Sequence, residues 1–410
     1  MKILQINALY GSLSTGTNVY EMNRAFTAQG HLCVAAFGAG TVKEPAAEFK
    51  IGTTPDQKLH ALLSRLTGLQ GYFSNLPTKK LLRFMDRFSP DVVVLNNLHA
   101  NYIHLPMLLN YLRKKDIPTV AVLHDCWFYT GKCCYYTAAG CEKWKTQCGN
   151  CPAKRQYNKS WFFDFSRKMH MDRIRLFGAI PRLGVVAVSD WLSEQAKQSP
   201  VFQNAKALTR IHNWIDTRVF SPVETADLRK SMGLADKKVI LAVAAIWEKR
   251  KGLDSLGWIA GQLKEEEQLI IVGKLNSPLL SDRVLCIPRT GSQQELVQYY
   301  SMADVFLQPS LEETFGKVTA EALACGTPVV CYDSTANPEL VGENCGTVVP
   351  AKDAEAMLRE ARTILRQGKQ QYSRSCRAFA EAMFDTEKIF DQYLEVFHKV
   401  QSCDKGEDTK

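Results

Sequence analysis

The sequence has no uninterrupted apolar run of the roughly 18 residues that a membrane-spanning helix requires. Residues 1–6 form too short an apolar run for a signal peptide, and polar residues follow directly. We therefore expect a cytoplasmic protein without transmembrane segments. The 13 cysteines are an odd number, and a cytosolic chain of this size favours free thiols or metal ligands over a disulfide framework.

The sequence also has no internal repeat and no large excess of one charge. The net charge of +9 reflects 51 Lys and Arg against 42 Asp and Glu. This excess suits an anionic small ligand, an anionic membrane surface or a nucleic acid, and it is equally compatible with solubility alone. The 410 residues are enough for two domains that each bury a core.

Short apolar runs alternate with segments of helical periodicity, and this alternation occurs twice. Runs that are almost continuously Val, Ile or Leu predict strands buried on both faces of a parallel sheet. The first set is 3–6, 92–95, 120–123 and 185–188, and the second set is 239–244, 269–272, 305–307 and 329–331. Helical patterns at 105–114, 293–301 and 318–325 lie between them.

A polar, turn-rich stretch from residue 211 to 222 separates the two sets. We predict an N-terminal domain over 1–210, with a cysteine-rich insertion at 126–152, and a second domain over 211–385. An amphipathic helix over 386–401 is expected to pack back on the first domain, followed by a frayed tail. The fold class is α/β, with two Rossmann-like doubly wound domains whose carboxyl strand ends face a central cleft.

The most specific motif lies in the second set, where PSLEETFG at 309–316 precedes EALACGTPVV at 321–330. A strand ends at Gln308, and a helix is predicted to begin near Gly316, which permits close approach of a ligand to the backbone. The N–H groups at such a helix start suit a diphosphate. Glu313 and Glu321 are eight positions apart, and a carboxylate at Glu321 is able to bind a ribose diol.

This stretch resembles the E-x7-E signature of retaining glycosyltransferases of family 4, which have the GT-B fold, and the resemblance covers nearly the whole chain. It implies that Glu313 lies near the donor sugar and that Glu321 binds the nucleotide ribose. It also implies that the backbone of Phe315, Gly316 and Lys317 faces the sugar and the phosphates. The simpler interpretation, a surface carboxylate and a capping acid, does not account for both acids in this setting.

A basic segment, WEKRKGLD at 247–254, follows the first strand of the second set. The family carries an Arg and a Lys on the donor diphosphate here, and Lys251 matches the Lys. Ile246 stands where the family has the Arg, so Arg250 or Lys249 would have to replace it. A solvated basic turn is the alternative, but charge that matches a diphosphate leaving group favours a functional role.

Gly16, Gly273 and Arg289 follow one another along the chain in the same order as the corresponding segments of the family. Gly273 and Arg289 fall in the region that packs around the nucleobase. Residues 7–16, ending in Gly16, are predicted to form a loop after the first strand, where the family has a glycine-rich loop beside phosphate or acceptor. This loop is not G-x-G-x-x-G and does not indicate NAD.

Histidines follow two strands of the first set. His124 comes directly after residues 120–123, and the family carries a His there that contacts the donor sugar. A buried structural histidine is the rival interpretation. Asn97 and His99 follow residues 92–95 and are candidates for the acceptor side.

Six cysteines fall between residues 126 and 151. Four of them form C-x7-C-x6-C-x2-C: Cys133, Cys141, Cys148 and Cys151. Thiolate tetrads bind structural Zn²⁺, but only one C-x-x-C pair is present, so a structural zinc and a set of buried thiols both stay open. The surrounding sequence resembles a subgroup of the family, of colanic-acid type, that builds bacterial capsular and exopolysaccharides.

A basic amphipathic segment spans residues 60–88. Such a segment is able to lie on an anionic bilayer, which would place the protein peripherally on the inner face of a membrane. A helix that covers its own sheet with a solvated outer face explains the pattern equally well.

The function expected from these residues is retaining hexosyl transfer from a UDP- or GDP-sugar to a saccharide or lipid-linked acceptor in surface polysaccharide synthesis. Cationic side chains replace a catalytic metal in this scheme. The alternatives are an epimerase of the same fold, a phosphorylase, for which no cofactor lysine site is found, and a non-catalytic nucleotide- or nucleic-acid-binding protein. Aromatic residues near the cysteines could stack on bases, but no nucleic-acid motif is present.

Overall fold

The computed structural model describes residues 1–276 and 281–402. It divides into two compact units: Met1–Ile211 joined by the segment from Phe390 onward, and His212–Ile389. The charged tail that was expected to fray, 404–410, lies outside the described residues. No helix among the described residues is long and apolar enough to cross a bilayer.

The first unit is built around a seven-stranded sheet in which every neighbouring pair is parallel. Its strands are β1 Lys2–Leu9, β2 Leu32–Ala39, β3 Glu48–Lys50, β4 Val92–Leu95, β5 Thr119–Leu123, β6 Leu183–Ala187 and β7 Ala207–Arg210. Its helices are α1 Leu13–Ala28, α2 Thr54–Thr67, α3 Asn75–Phe88, α4 Leu105–Lys115, α5 Ser166–Phe177 and α6 Asp190–Lys197. The strand order is β3-β2-β1-β4-β5-β6-β7.

The second unit repeats this plan with a six-stranded sheet, again parallel at every pair. Its strands are β8 Lys238–Ile246, β9 Glu267–Lys274, β10 Val284–Ile287, β11 Val305–Gln308, β12 Val329–Asp333 and β13 Gly346–Pro350. Its helices are α7 Ala226–Ser231, α8 Leu253–Gln262, α9 Gln293–Met302, α10 Lys317–Ala324, α11 Ala354–Gln367 and α12 Gln370–Phe384, and α13 Thr386–Ser402 follows. The strand order is β10-β9-β8-β11-β12-β13.

Both sheets are doubly wound, so each has one point where the strand order reverses. In the first unit this point lies between β1 and β4, and in the second between β8 and β11. Open parallel sheets bind ligands outside the carboxyl ends of the strands at this point, because the flanking loops diverge there. The loops after β1, β4, β8 and β11 are therefore the expected positions of a ligand site.

The central strands form where the sequence is mostly apolar, and their middle residues are buried. Every residue of β4 and of β5 is buried, as in a sheet covered on both faces. The fold class and both sets of strands are confirmed, with bounds that differ from those predicted by at most three residues.

The C-terminal helix α13 completes the first unit. Phe390 and Phe397 pack against Phe26 of α1, with ring centroids 5.6 and 5.7 Å apart. Gly184 of β6 faces Val400, whose Cγ1 would lie 2.7 Å from a β-carbon added at the glycine. The first unit thus needs chain from both ends of the sequence to cover its sheet.

The prediction of a loop through Gly16 is wrong, because α1 begins at Leu13 and places Gly16 in its first turn. A β-carbon at Gly16 would stand 3.1 Å from Leu9 Cβ, so the missing side chain lets the helix approach the end of β1. The Gly11 N–H group donates to Gly16 O over 2.9 Å and closes the short turn between strand and helix. Small residues here serve tight packing of helix on strand.

The basic amphipathic segment at 60–88 is not one continuous helix. It comprises most of α2 and all of α3, interrupted at Gly68, which ends α2 in the left-handed conformation with φ 79°. Both helices bury one side, since His60 and Ser64 of α2 and Leu81 and Met85 of α3 are buried.

Candidate functional site

The reversal point of the second sheet is flanked by the two loops that carry the motif residues. The loop after β8 holds Lys251, and the loop after β11 holds Glu313. The Lys251 ammonium contacts both carboxylate oxygens of Glu313, at 2.5 and 2.9 Å. Glu313 is only 8% exposed, so this ion pair is largely withdrawn from water. Sequence reasoning placed both residues at the site but did not foresee that they bind each other.

Arg250 ties the same two loops together. Its guanidinium donates to the carbonyl of Glu312 over 3.1 Å and pairs with Glu248 over 2.9 Å. Its own carbonyl accepts from the Leu311 N–H group at 2.8 Å. In the structure Arg250 therefore fixes the geometry of the β8 and β11 loops.

Gly252 permits the close approach of these loops. It has a left-handed backbone with φ 81°, and a β-carbon there would lie 2.2 Å from the carbonyl oxygen of Pro309. No other residue fits without moving one backbone away from the other. The position of Lys251, one residue earlier, depends on this contact.

Helix α10 begins directly after the β11 loop. Gly316 precedes it with φ 91°, and the Gly316 carbonyl accepts the Thr319 N–H group at 2.9 Å. A helix start with a glycine at the N-cap presents backbone N–H groups without a covering side chain, which is the arrangement that binds phosphate oxygens. Phe315 is 2% exposed and its ring packs against Phe384, so its side chain belongs to the core of the second unit.

Glu321 lies in the second half of α10 and is 8% exposed. The buried Tyr300 hydroxyl of α9 donates to its Oε2 atom over 2.9 Å. Burial, together with Glu321, raises the pKa of Tyr300 well above its usual value, so the phenol remains a donor. Tyr300 thereby orients the carboxylate, a role that no local pattern signals because the two residues are 21 positions apart.

The remaining predicted residues of this unit lie around the sheet edge. Gly273 ends β9 with φ 126°, and a β-carbon there would be 1.7 Å from the carbonyl oxygen of Ala244. Arg289 is exposed in the loop after β10, and Lys317 is half-buried as the first residue of α10. Gly273 is required by strand packing, whatever ligand the edge binds.

At the edge of the first sheet, asparagines link the ends of β1 and β4. The Asn97 N–H group donates to Asn7 Oδ1 at 3.0 Å, and the Asn97 side-chain amide lies 3.4 Å from the Thr15 hydroxyl of α1. The Tyr102 hydroxyl donates to the carbonyl of Asn97 at 2.8 Å. These contacts hold the two loops at the reversal point of this sheet in one place.

His124 follows β5, as expected, and its Nε2 atom lies 2.9 Å from Asn96 Oδ1. Burial lowers the pKa of His124 to about 4, against an opposing effect of Asp125. The ring is therefore neutral at pH 7 and suited to hydrogen bonding with a sugar hydroxyl rather than to charge neutralisation.

Asp125 is the residue at this edge whose importance sequence reasoning missed. It accepts from Trp127 N–H at 2.8 Å and lies 3.0 Å from His99 Nε2. Burial alone would raise the pKa of Asp125, but His99 and Trp127 outweigh it and hold that pKa below its usual value. In the sequence, the only indication of this role is that Asp125 directly follows His124 at the end of β5.

His99, Asp125 and Cys134 offer three potential metal ligands within 4.8 Å of one another. Burial and the nearby Asp125 raise the pKa of Cys134 well above its usual value, so the thiol stays protonated and donates to the carboxylate. Asp125 thus accepts from Trp127 and Cys134 as well as contacting His99. Because the Asp125 carboxylate already has these three partners, the cluster is a hydrogen-bonded group that holds His99 in place rather than a metal centre.

The four cysteines that the sequence indicates as candidate metal ligands lie in one part of the insertion. Cys133, Cys141, Cys148 and Cys151 line one cavity in the first unit. All twelve cysteines that the structure describes are free thiols.

Two family models match the chain. "Glycosyltransferase Family 4" matches residues 15–219, half of the chain, and "Glycosyl transferases group 1" matches residues 237–367. These matches, with two parallel Rossmann-like sheets, define a protein of the GT-B glycosyltransferase class. The chain belongs to glycosyltransferase family 4.

Individual relatives are similar over parts of their length. The D-inositol 3-phosphate glycosyltransferase of Mycobacteroides abscessus is 34% identical over 161 residues, which are 35% of this chain and about a third (36%) of that protein. The GDP-mannose-dependent alpha-mannosyltransferase of Mycobacterium tuberculosis is 25% identical over 314 residues, 74% of this chain and 71% of that protein.

Solved structures share the fold across nearly the whole chain. Anabaena HepE in complex with UDP is 17% identical and superposes with a TM-score of 0.70, covering 97% of this chain and 100% of that chain. HepE in complex with UDP-glucose superposes with a TM-score of 0.66, at 17% identity, over 97% and 99% of the two chains.

Proposed function

We propose that the protein is a retaining glycosyltransferase that moves a hexose from a UDP- or GDP-sugar to a saccharide or lipid-linked acceptor in surface polysaccharide synthesis. The observation that carries this proposal is the convergence of Lys251, Glu313 and the start of α10 at the reversal point of the second sheet. Membership of family 4 and the nucleotide-sugar complexes of HepE, a protein of the same fold, support it.

Each part of the site suits one part of the donor. The carboxylate of Glu321, oriented by Tyr300, would bind the ribose diol, and Gly273 and Arg289 would flank the base. The helix start at Gly316 and Lys317 would receive the diphosphate.

Glu313 would contact the donor sugar, and the neutral ring of His124 is suited to a hydrogen bond with a sugar hydroxyl. Lys251, with Arg250 in support, would neutralise the charge that develops on the diphosphate. These positive groups do in this scheme what a metal does in other transferases. Gly16, inside α1, would act only by letting the helix approach the strand end.

In the reaction, the acceptor hydroxyl attacks the anomeric carbon from the face that the diphosphate leaves. The bond from the anomeric carbon to the phosphate oxygen breaks, the bond to the acceptor oxygen forms, and the hydroxyl proton passes to the departing phosphate. The Lys251–Glu313 ion pair requires a rearrangement when the donor binds. The Lys251 ammonium must give up at least one of its contacts with the Glu313 carboxylate in order to contact the diphosphate. Glu313 is then released toward the hydroxyls of the donor sugar.

Donor binding tests this function directly. We expect one sugar nucleotide among UDP-, GDP- and ADP-sugars to stabilise the wild type by about 2.7 kcal/mol when present at about 100 times its Kd. Glu321→Ala should abolish the thermal shift, because the ribose loses its carboxylate. The exposed Glu355, on α11, supplies the control variant Glu355→Ala, which should retain the full shift.

Turnover separates the alternatives. Nucleotide diphosphate released only with acceptor supports transfer, whereas donor consumed without acceptor indicates an epimerase. The anomeric configuration of the product, read by NMR, supports retention if it matches the donor and overturns retention if it is inverted. If no sugar nucleotide shifts the wild type, the transferase proposal fails and a non-catalytic binding protein takes its place.

We also propose that the first unit touches an anionic membrane beside the acceptor. Trp161, Phe162 and Phe163 are 45, 62 and 57% exposed. The backbone N–H group of Trp161 donates to the carbonyl of Arg65 at 2.7 Å, which attaches this aromatic segment to α2. Leu62 of α2 is also exposed. Aromatic and leucine side chains among basic residues are the composition of an interfacial surface.

A cavity of about 360 Å³ lies at the same place and is lined in part by Arg65, Lys159 and Trp161. Two cations and an aromatic ring suit a saccharide that carries phosphate, as a lipid-linked acceptor does.

Vesicle binding checks the membrane contact. We expect the protein to sediment with phosphatidylglycerol vesicles and not with neutral phosphatidylcholine vesicles, because both apolar contact and charge contribute. Phe162→Ser should weaken the binding. Leu32→Ser, which removes an exposed apolar side chain from the start of β2, should not. Absence of the wild type from both vesicle pellets would overturn the membrane contact without touching the transferase proposal.

A further inference from the structure

The four cysteines of the insertion enclose a space of atomic size. The cavity lined by Cys133, Cys141, Cys148 and Cys151 has a volume of about 20 Å³, room for about one water-sized particle. The Cys133 and Cys151 thiols are hydrogen-bonded to each other. No three of the four sulfur atoms all lie within 4.8 Å of one another, so a bound metal would have to draw the thiols together around the cavity.

Backbone N–H groups point at two of these sulfur atoms. Gly131 donates to Cys148 Sγ at 3.2 Å, and Ala153 donates to the sulfur of Cys151. Gly131 has no room for a side chain, since an added β-carbon would be 2.6 Å from the carbonyl oxygen of Ser166. Donors aimed at sulfur stabilise thiolates and orient them as ligands.

Two buried cations flank the thiols. Arg173 is 1% exposed and Lys132 is 3% exposed. Arg173 donates to the Thr130 carbonyl and stacks 3.9 Å from the Trp127 ring, but its Nε and Nη2 atoms have no hydrogen-bond partner in the part of the chain that the structure describes. Lys132 donates to the Lys154 carbonyl at 2.7 Å.

Neither cation forms an ion pair with a carboxylate of residues 1–276 or 281–402, although the Asp164 carboxylate lies near enough to Lys132 to attract it. A buried charge without an adjacent opposite charge is costly, so Arg173 in particular calls for a nearby anion. One Zn²⁺ with four thiolates carries two negative charges and would balance Arg173 and Lys132 together.

We propose that Cys133, Cys141, Cys148 and Cys151 bind one structural Zn²⁺ that is charge-balanced by Arg173 and Lys132. Binding releases the four thiol protons to solvent. A cavity of about 20 Å³ takes a single ion and not a multinuclear iron–sulfur cluster.

The metal would fix a stretch that has little regular structure of its own. Between β5 and α5 the only regular element among the described residues is the single 3-10 turn Lys143–Lys145. The Cys151 N–H group donates to Asp164 Oδ2 at 2.7 Å, so ordering Cys151 also orders the chain that leads into α5. The zinc is structural, and it lies outside the proposed donor site.

Metal analysis of the full-length protein tests the proposal. Protein purified under reducing conditions should contain about one zinc per chain. Cys148→Ser and Cys141→Ser should lose it, while Cys286→Ser, a thiol of the second unit, should keep it. Because the serine variants could fail to fold, the wild type should also be stripped with a chelator and refilled with Co²⁺, which should give the visible bands of tetrahedral cobalt–thiolate coordination.

Three results would overturn the zinc site. The first is wild type that holds no zinc even after zinc is supplied to the reduced protein. The second is iron with the broad visible absorption of an iron–sulfur cluster. The third is metal lost in Cys134→Ser but retained in Cys148→Ser, which would move the ion to His99 and Asp125.

Discussion

Replacing Lys251 by methionine is expected to lower kcat by about 10²- to 10³-fold, the effect of removing one preorganised positive or hydrogen-bonding group from a developing anion. Methionine keeps the length and apolar stem of lysine but cannot neutralise the diphosphate. Initial rates of nucleotide diphosphate release, with the sugar nucleotide that stabilises the protein, provide the measurement. The highly exposed Lys249, two positions away, gives the control Lys249→Met, which should change kcat little.

The same substitution also leaves Glu313 without its partner. A carboxylate that is 8% exposed then costs about 1–3 kcal/mol of stability, which could mimic a loss of activity by unfolding. The double variant Lys251→Met with Glu313→Gln separates the two effects, because it removes the stranded charge. We expect it to recover stability and not activity. A single variant that keeps kcat within about twofold of wild type would contradict the role given to Lys251.

Gly252→Ala is expected to destabilise the second unit by about 3–5 kcal/mol, a magnitude reserved for backbone clashes and strained conformations. The new methyl would stand 2.2 Å from the Pro309 carbonyl oxygen, and alanine would also have to hold φ at 81°. The added β-carbon and the Pro309 carbonyl oxygen are both fixed to the backbone, so the clash is removed only if the β8 and β11 loops move apart. Thermal unfolding measures this change. The transition of the second unit is the one whose midpoint rises when the sugar nucleotide is added, and Gly252→Ala should lower that midpoint.

Gly261→Ala is the matched control for Gly252→Ala. Gly261 lies in α8, and an added β-carbon there meets nothing within 4 Å. Alanine is the better helix former by about 1 kcal/mol, so this variant should be slightly more stable than wild type. Equal midpoints for Gly252→Ala and wild type would show that the two loops are not in fixed contact.

The parts of the fold that the sequence predicts are those where one physical demand dominates. Strands β4 and β5 are continuous apolar runs because both faces of a central strand are covered. Strand β2 was missed because alanine and glycine fill much of it, and β3, at three residues, is too short to carry a pattern. The start of α1 was missed because its first turn contains serine, threonine and glycine, which are poor helix formers, and tertiary contact with β1 overrides that preference.

The candidate site divides in the same way. Glu313 and Glu321 are predictable because they lie within one loop and one helix, at a fixed spacing. The pairing of Lys251 with Glu313 joins residues 62 positions apart, and nothing local encodes it. The donors that surround Asp125 likewise come from the loop after β4 and from the insertion, so their convergence follows only from the order of strands in the sheet. Which sugar the site accepts depends on such convergences and therefore stays a proposal.

The contribution of helix α13 to the first unit has a consequence for how the chain is made. Synthesis runs from the N-terminus, so the first 211 residues leave the ribosome with Phe26 still lacking Phe390 and Phe397. The second unit is a single continuous stretch and is completed earlier, although it is begun later. The first unit thus acquires its full core only after the second unit is complete, and until α13 emerges the nascent chain carries an apolar surface that chaperones would recognise.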